Sequence, residues 1–401
     1  MNAPAAADLL PLLLASAAVG QALLCLLVVL TGRTGDVSRL WLAGLFGMLA
    51  TLAVSPLVAA LWPDGLALIA GLILIALYAL PPLFWGYVRA LTREQMSGGW
   101  SISAWHLTGP VAALANALLI WTLPVENVAS ILATGELPGG LHASAAVLGV
   151  FILVLAWSLM SAFYVWRILT RLRAYRRALR DQFSNTERRE LAWLRTMILA
   201  ILIVWLAIMA LLVWDNLIAS LPVPPVFGSL VIMALTAMLA ARGLSQYPGL
   251  AATDPLDEDP DTDAIPPVGN AKDTRTPAKY RKSALEPDHA ARIAARIEAA
   301  MARDALYLDA NLSLPKLAKA IAVPANLVSQ VLNQTLDTTF FDYVNRCRIE
   351  ASLPHILAGE TTVLNIALDV GFNARSTFYS AFKMATGQTP RQWRASQGPN
   401  P

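Results

Sequence analysis

The 401-residue sequence predicts an all-α protein: a seven-helix transmembrane bundle, a flexible linker, and a soluble domain with two helix-turn-helix units. Three observations predict it. The chain is 56% hydrophobic and 14% charged, where about 25% charged is usual for a soluble protein, so its apolar surface needs a solvent other than water. Seven apolar runs reach the roughly 20 residues that a helix needs to cross a hydrocarbon layer about 30 Å thick. Beyond residue 287 the apolar spacing becomes helical again, in short segments separated by turn residues.

The charge separates the two materials. Residues 1–242 hold 14 Arg, no Lys and 10 Asp or Glu, while residues 243–401 hold 16 Lys or Arg and 17 Asp or Glu. The formal net charge of +3 is too mild to argue for nucleic acid by itself. Cys25 lies in an apolar run and Cys347 far away in a polar one, so they make neither a disulfide framework nor a metal cluster.

The runs fall near 9–30, 40–62, 66–88, 104–122, 142–166, 194–218 and 224–241. The first lacks a basic n-region, and cleavage behind it would leave Arg33 and Arg39 outside, so it is read as a retained helix. Basic residues mark the orientation. Arg33 and Arg39 occupy the first connection, Arg89 and Arg93 the third, and Arg167, Arg171, Arg173, Arg176, Arg177, Arg180, Arg188 and Arg189 the fifth; Arg242 follows the last run. The N-terminal tail and the second, fourth and sixth connections carry only acids, such as Asp8, Asp64, Glu126, Glu136 and Asp215. Seven spans with the N-terminus outside put every one of those basic positions on the same side. Eleven of the twelve tryptophans fall in this half, many near span ends, as an interfacial belt requires.

In the fifth connection the basic helical pattern continues through residue 183, and Ser184-x-x-Glu187 reads as a capping box that starts the next helix. The arginines are read first as the topology determinant at the lipid surface. The second reading is a helical hairpin that touches the downstream domain, anionic lipid or DNA.

The run interiors offer little chemistry, mainly Asn116, Ser55, Ser158 and Ser161. His106 and His142 fall at opposite faces of the membrane and cannot share one site. No Lys precedes Lys272, which removes a retinal Schiff base. Pro56 and Pro81-Pro82 are candidate kinks that open a pocket. No catalytic, cofactor or metal site is expected, and the protein is not read as an enzyme.

Residues 243–287 hold seven prolines and an acidic run from Asp254 to Asp263, too polar to fold alone. As a flexible chain of about 40 residues this tether spans roughly 35 Å; its acids are read as keeping it soluble rather than as autoinhibitory.

From residue 288, Ile293, Ile297 and Met301 share one helical face. Ser313 caps a helix through Ala320, Val323-Pro324 breaks it, and a second helix runs 325–335. Some fifty residues on, Thr361 or Thr362 caps a helix with Ile366 and Ala367, Gly371 supplies the turn, and a helix runs 374–385. Small Ala318 and Ala367 let each pair of helices cross closely.

The run DVGFNARSTFYSAFKMATGQTPRQWR at 369–394 resembles the second half of the AraC-family DNA-binding domain, LSLPKLAKAIAVPANLVSQVLN at 312–333 its first half, and FFDYVNRCRIEAS at 340–352 the helix that joins them. Gly371-Phe372, Phe382-Lys383, Thr386-Gly387 and Thr389-Pro390 occur together at the family's spacing. Residues 280–285 resemble the lead-in of members with a multi-span membrane domain. The likeness covers roughly the last 110 residues. It departs from the family at Gln330 and Ser380, where Arg is frequent, at Ala322 and Asp337, which replace glycines, and at Pro354, expected to kink or shorten the joining helix.

The resemblance implies two recognition helices entering successive major grooves. The first presents Asn326, Ser329, Gln330 and Asn333, and the second Arg375, Ser376, Thr377, Tyr379, Ser380 and Lys383. Amides suit adenine, Arg suits guanine, and Lys383 suits phosphate. Val328, Leu332, Phe378 and Phe382 are assigned to packing. The expectation is a membrane-anchored transcription regulator of the bacterial cytoplasmic membrane, with domains 1–242, 243–287 and 288–401 and its C-terminal domain in the cytoplasm. It would respond to an unknown small-molecule or membrane-derived signal and bind double-stranded promoter DNA as a homodimer. The competing readings are a transporter or membrane enzyme with an appended regulatory module, and a membrane scaffold without DNA affinity.

Overall fold

The computed structural model describes residues 6–32, 37–92, 104–134, 140–186, 191–217, 226–244 and 286–397. Arg33, Arg93, Arg188, Arg189, the stretch 245–285 that makes up nearly all of the expected linker, and the lead-in at 280–285 lie outside them. The chain divides into two units. One holds Met1–Leu172 and Leu191–Ala252, the other Arg173–Glu190 and Thr253–Pro401. Among the described residues, 173–186 group with the C-terminal unit.

The first unit is built from α1 (Ala6–Thr31), α2 (Val37–Ala53), α3 (Ser55–Leu61), α4 (Leu66–Leu91), α5 (Thr108–Trp121), α6 (Val125–Thr134), α7 (Leu141–Gln182), α8 (Ala192–Leu217) and α9 (Val226–Gly243); α7 runs on into the other unit. Among the described residues, six helical stretches are long and apolar enough to cross a membrane, and α8 carries a shorter apolar helix at Trp193–Ala207. Leu13, Leu24, Leu148 and Leu159 are among the many apolar side chains left more than half exposed, a surface that water does not tolerate over such an area. The second span is two helices, because Pro56 lacks the N–H that a continuous helix would bond and α3 restarts at Ser55. Pro81 and Pro82, by contrast, lie inside an unbroken α4. The short helix α6 was not anticipated from the sequence.

Close approach holds this unit together. Ala15, Ala18 and Ala22 of α1 are fully buried, and α1 packs on α2 and α9. Any Cβ at Gly86 would collide with the Trp41 indole, so these helices meet through small residues as apolar bundles require. Buried polar groups tie helix to helix: Tyr78 donates to the Leu153 carbonyl at 2.5 Å, Trp157 to Leu77 at 2.8 Å and Asn116 to Ala146 at 3.4 Å. His106 pairs with Tyr164 at 2.6 Å and His142 with Thr122 at 2.9 Å, in separate places. Beside the break at Val54, a cavity of about 430 Å³ is lined by apolar groups with Ser55, Pro56 and Ser229.

The C-terminal unit contains α10 (Pro287–Ala302), α11 (Leu314–Ala320), α12 (Ala325–Gln334), α13 (Phe340–Ala358), α14 (Val363–Asp369), α15 (Arg375–Thr386) and α16 (Pro390–Gln397). It has two cores. Ile293, Ile297, Met301, Leu317, Val328, Leu332 and Val344 pack in one; Ile349, Ile366, Phe372, Phe378 and Phe382 pack in the other. Helix α13 serves both. Thr339 caps it by accepting the Asp342 N–H at 3.1 Å, and Gly359 ends it in the left-handed region at φ 65°. Pro354 does not shorten it, and the helix continues to Ala358. Pro354 and Glu350 are both exposed, so the carbonyl that loses its donor faces water.

Glu187 of the expected capping box lies outside the described residues, and the described Ser184 side chain is engaged elsewhere. Helix α7 ends at Gln182, Phe183 bridges antiparallel to Ser313, and α8 begins at Ala192. The Ser184 hydroxyl donates instead to the Leu312 carbonyl at 2.6 Å.

Candidate nucleic-acid interface

Each half of the C-terminal unit crosses two helices through a tight turn. The first turn places Ala322 at φ 52°, and the second places Gly371 at φ 91°. Only glycine adopts such angles without strain. At Gly371 space is short as well, since a Cβ would lie 2.6 Å from the Tyr307 carbonyl oxygen and 2.8 Å from that of Leu308. Thr362 caps α14 by accepting the Asn365 N–H. Ser313 precedes α11 without a side-chain cap, and its chain position is occupied by the bridge to Phe183.

The second helix of each pair is two-faced. On α12, Val328, Val331 and Leu332 are buried, while Asn326 and Asn333 are exposed and Ser329 and Gln330 half-exposed. On α15, Phe378 and Phe382 are fully buried, Arg375, Ser376, Ser380 and Lys383 are exposed, and Thr377 and Tyr379 are half-exposed. Val328, Leu332, Phe378 and Phe382 thus take the packing positions assigned to them.

The polar faces are organised by four-residue pairs, the neighbour spacing of a helix. Asn333 donates to Ser329 at 3.4 Å and Gln330 to Gln334 at 3.0 Å. Arg375 donates to the Tyr379 hydroxyl at 3.1 Å and lies 5.0 Å over that ring. These contacts hold the long side chains partly extended along the helix. Both helices also start without a side-chain cap, at Pro324 and Ala374, leaving first-turn N–H groups open to an acceptor such as phosphate.

Sequence reasoning passed over the residue that joins the two halves. Arg348 is fully buried. Its Nε donates to the Tyr307 carbonyl at 2.7 Å and its Nη2 to that of Asp309 at 2.8 Å, while its guanidinium lies 5.5 Å over Phe372. Nη2 also donates to Ser184 Oγ at 3.2 Å. Burial pulls the Arg348 pKa down to about 10, against the favourable field of Asp309; it stays charged at neutral pH, held by the carbonyls. A signal was present, because Phe340, Val344, Arg348 and Ser352 recur every four residues and all four are buried. An arginine on a buried stripe needs fixed acceptors.

Residues 317–396 match the family model described as a helix-turn-helix domain. An uncharacterised HTH-type transcriptional regulator of Staphylococcus aureus is 29% identical over 92 residues, covering 23% of this chain and 12% of that protein. The melibiose operon regulatory protein of Escherichia coli is 28% identical over 86 residues, covering 21% of this chain and 28% of its own. The C-terminal domain of AraT, a response regulator of Geobacillus stearothermophilus, matches with 24% identity and a TM-score of 0.25, over 29% of this chain and 92% of that one. The chain thus spans less than a third of the curated relatives it matches. Its C-terminal segment carries an AraC-type helix-turn-helix domain, preceded in the chain by apolar helices.

Proposed function

We propose that the protein is a membrane-anchored, one-component transcription regulator, in which the apolar unit senses a signal and the C-terminal unit binds promoter DNA sequence-specifically as a homodimer. The observation that carries it is the pair of two-faced helices, α12 and α15, polar outward and apolar inward, in a segment that matches a helix-turn-helix family. Asn326, Ser329, Gln330 and Asn333 are the base and phosphate contacts of the first helix. Arg375, Ser376, Thr377, Tyr379, Ser380 and Lys383 are those of the second. Arg375 suits the O6 and N7 of guanine, the asparagines suit adenine, and Lys383 and the open helix starts suit phosphate.

Residues 1–242 act as the membrane part, 243–287 as the tether and 288–401 as the DNA-reading part, with the C-terminal side in the cytoplasm of a bacterium. The arginine asymmetry of the connections supports that orientation. The signal is a small molecule or a membrane-derived one, and the apolar cavity beside Pro56 is where an apolar molecule would fit.

Footprinting of the full chain in membrane vesicles on the DNA upstream of its own gene tests the reading. The expected result is a protected site of about 20 base pairs per pair of grooves. No protection on that DNA or on any other promoter fragment would overturn it.

A further inference from the structure

The C-terminal unit includes a segment that lies far outside the 317–396 helix-turn-helix match. Residues 173–186 precede α10 by some hundred positions and yet belong to this unit. Tyr175 and Leu179 are buried, and the Arg180 guanidinium lies 5.4 Å over the Phe341 ring at the start of α13. The chain then leaves the helix and enters the domain's polar junction. Phe183 bridges Ser313, Ser184 N–H donates to the Leu312 carbonyl at 3.2 Å, and Ser184 itself is fully buried.

The side chains of Ser184 and Asn185 make four bonds to three different parts of the domain. Ser184 Oγ donates to Leu312 of the first half and accepts from Arg348 of α13 at 3.2 Å. Asn185 Nδ2 reaches the Ala310 carbonyl at 2.5 Å and, at 3.3 Å, the Gly371 carbonyl in the turn of the second half. Ser184 and Thr186 are both buried, so the bonds of Ser184 have few competitors from water. The stretch touches neither recognition face, since Asn326, Asn333, Arg375 and Lys383 are exposed with it in place.

We propose that residues 179–186 are an inserted docking element of the DNA-binding unit, one that ties its two helix-turn-helix halves to each other in the arrangement that engages two grooves. This rests on the DNA-reading function proposed above. Because α7 is one uninterrupted helix from Leu141 to Gln182, the element is continuous in chain with the apolar helices, and its release is the step by which a change there reaches DNA. A site read by two helices at fixed spacing loses affinity when the spacing is no longer held, because the second helix must then be ordered on binding.

The test uses the full chain in membrane vesicles. In a Cys25→Ala, Cys347→Ala background, Phe183→Cys with Ser313→Cys is oxidised with copper phenanthroline, and the linked peptides are sought by mass spectrometry. The docked element yields the 183–313 disulfide, and the oxidised protein keeps wild-type affinity for a duplex from its own upstream region. In the otherwise wild-type chain, with Cys347 retained, Ser184→Ala with Asn185→Ala lowers that affinity about tenfold, while the Cys347 alkylation rate, a measure of the first core's integrity, stays at the wild-type value. Absence of the disulfide, or unchanged or tighter DNA binding by the double variant, overturns the inference and leaves the DNA reading intact. Wild-type protein that binds no promoter duplex, whatever the disulfide result, overturns the DNA reading and the inference with it.

Discussion

Ala322 and Asp337 hold φ angles of 52° and 47° in the two bends that flank α12. A side chain in this left-handed region costs about 1–2 kcal/mol, while glycine gives back up to about 1 kcal/mol through the freer unfolded chain. The Ala322→Gly change therefore stabilises the first half by about 0.5–1 kcal/mol. Hydrogen exchange of α11 and α12 amides in the full chain should slow by roughly two- to fivefold; faster exchange would show that the bend is unstrained. Arg375 makes a different prediction, since a bidentate pair with guanine is worth about 1–3 kcal/mol. Arg375→Ala should weaken operator binding by about tenfold to a hundredfold and relax preference at one base pair, whereas Lys383→Ala should weaken all sequences alike. Binding curves on operators permuted at single positions separate these two patterns.

Helix boundaries were the most legible part of the chain. The turn at Val323-Pro324, the Thr362 cap and the Gly371 turn stand where spacing and residue type put them, because capping and turn chemistry act within four residues. The exceptions are Ser184 and Pro354. Ser184 had a capping partner at the right spacing, but its hydroxyl is taken by Leu312, far along the chain. Pro354 was expected to kink or shorten α13, but its missing bond falls on the solvent side and the helix keeps its length. The proline still costs the helix a hydrogen bond, so Pro354→Ala should stabilise α13 by about 1–2 kcal/mol once the proline's restraint on the unfolded chain is discounted. Slower amide exchange at 354–358 with unchanged DNA affinity is the expected measurement. A loss of affinity would mean that Pro354 helps position the second recognition helix.

At the scale of the whole molecule the charge is divided rather than absent. Residues 288–401 carry 11 Lys or Arg against 9 Asp or Glu, so one copy of the proposed DNA-reading unit has little net positive charge to set against phosphates. A dimer on its operator should show a slope of log affinity against log salt no steeper than about −6, at roughly −0.9 for each phosphate contacted. Binding to single half-sites should be weak at physiological salt. A steep slope for one copy would argue for an electrostatic binder without a pairing requirement.

The two-part character, the apolar helices, the helix-turn-helix pairs and the polar faces of α12 and α15 all follow from the sequence by itself, because composition and 3.6-residue periodicity are local properties. The candidate site was legible as two separate faces for the same reason. What joins them was decided by tertiary structure alone. Arg348 finds its acceptors at Tyr307 and Asp309, and Ser184 meets it across 164 positions of chain. A buried guanidinium has no fixed spacing to its partners in sequence, only the requirement that every donor be met.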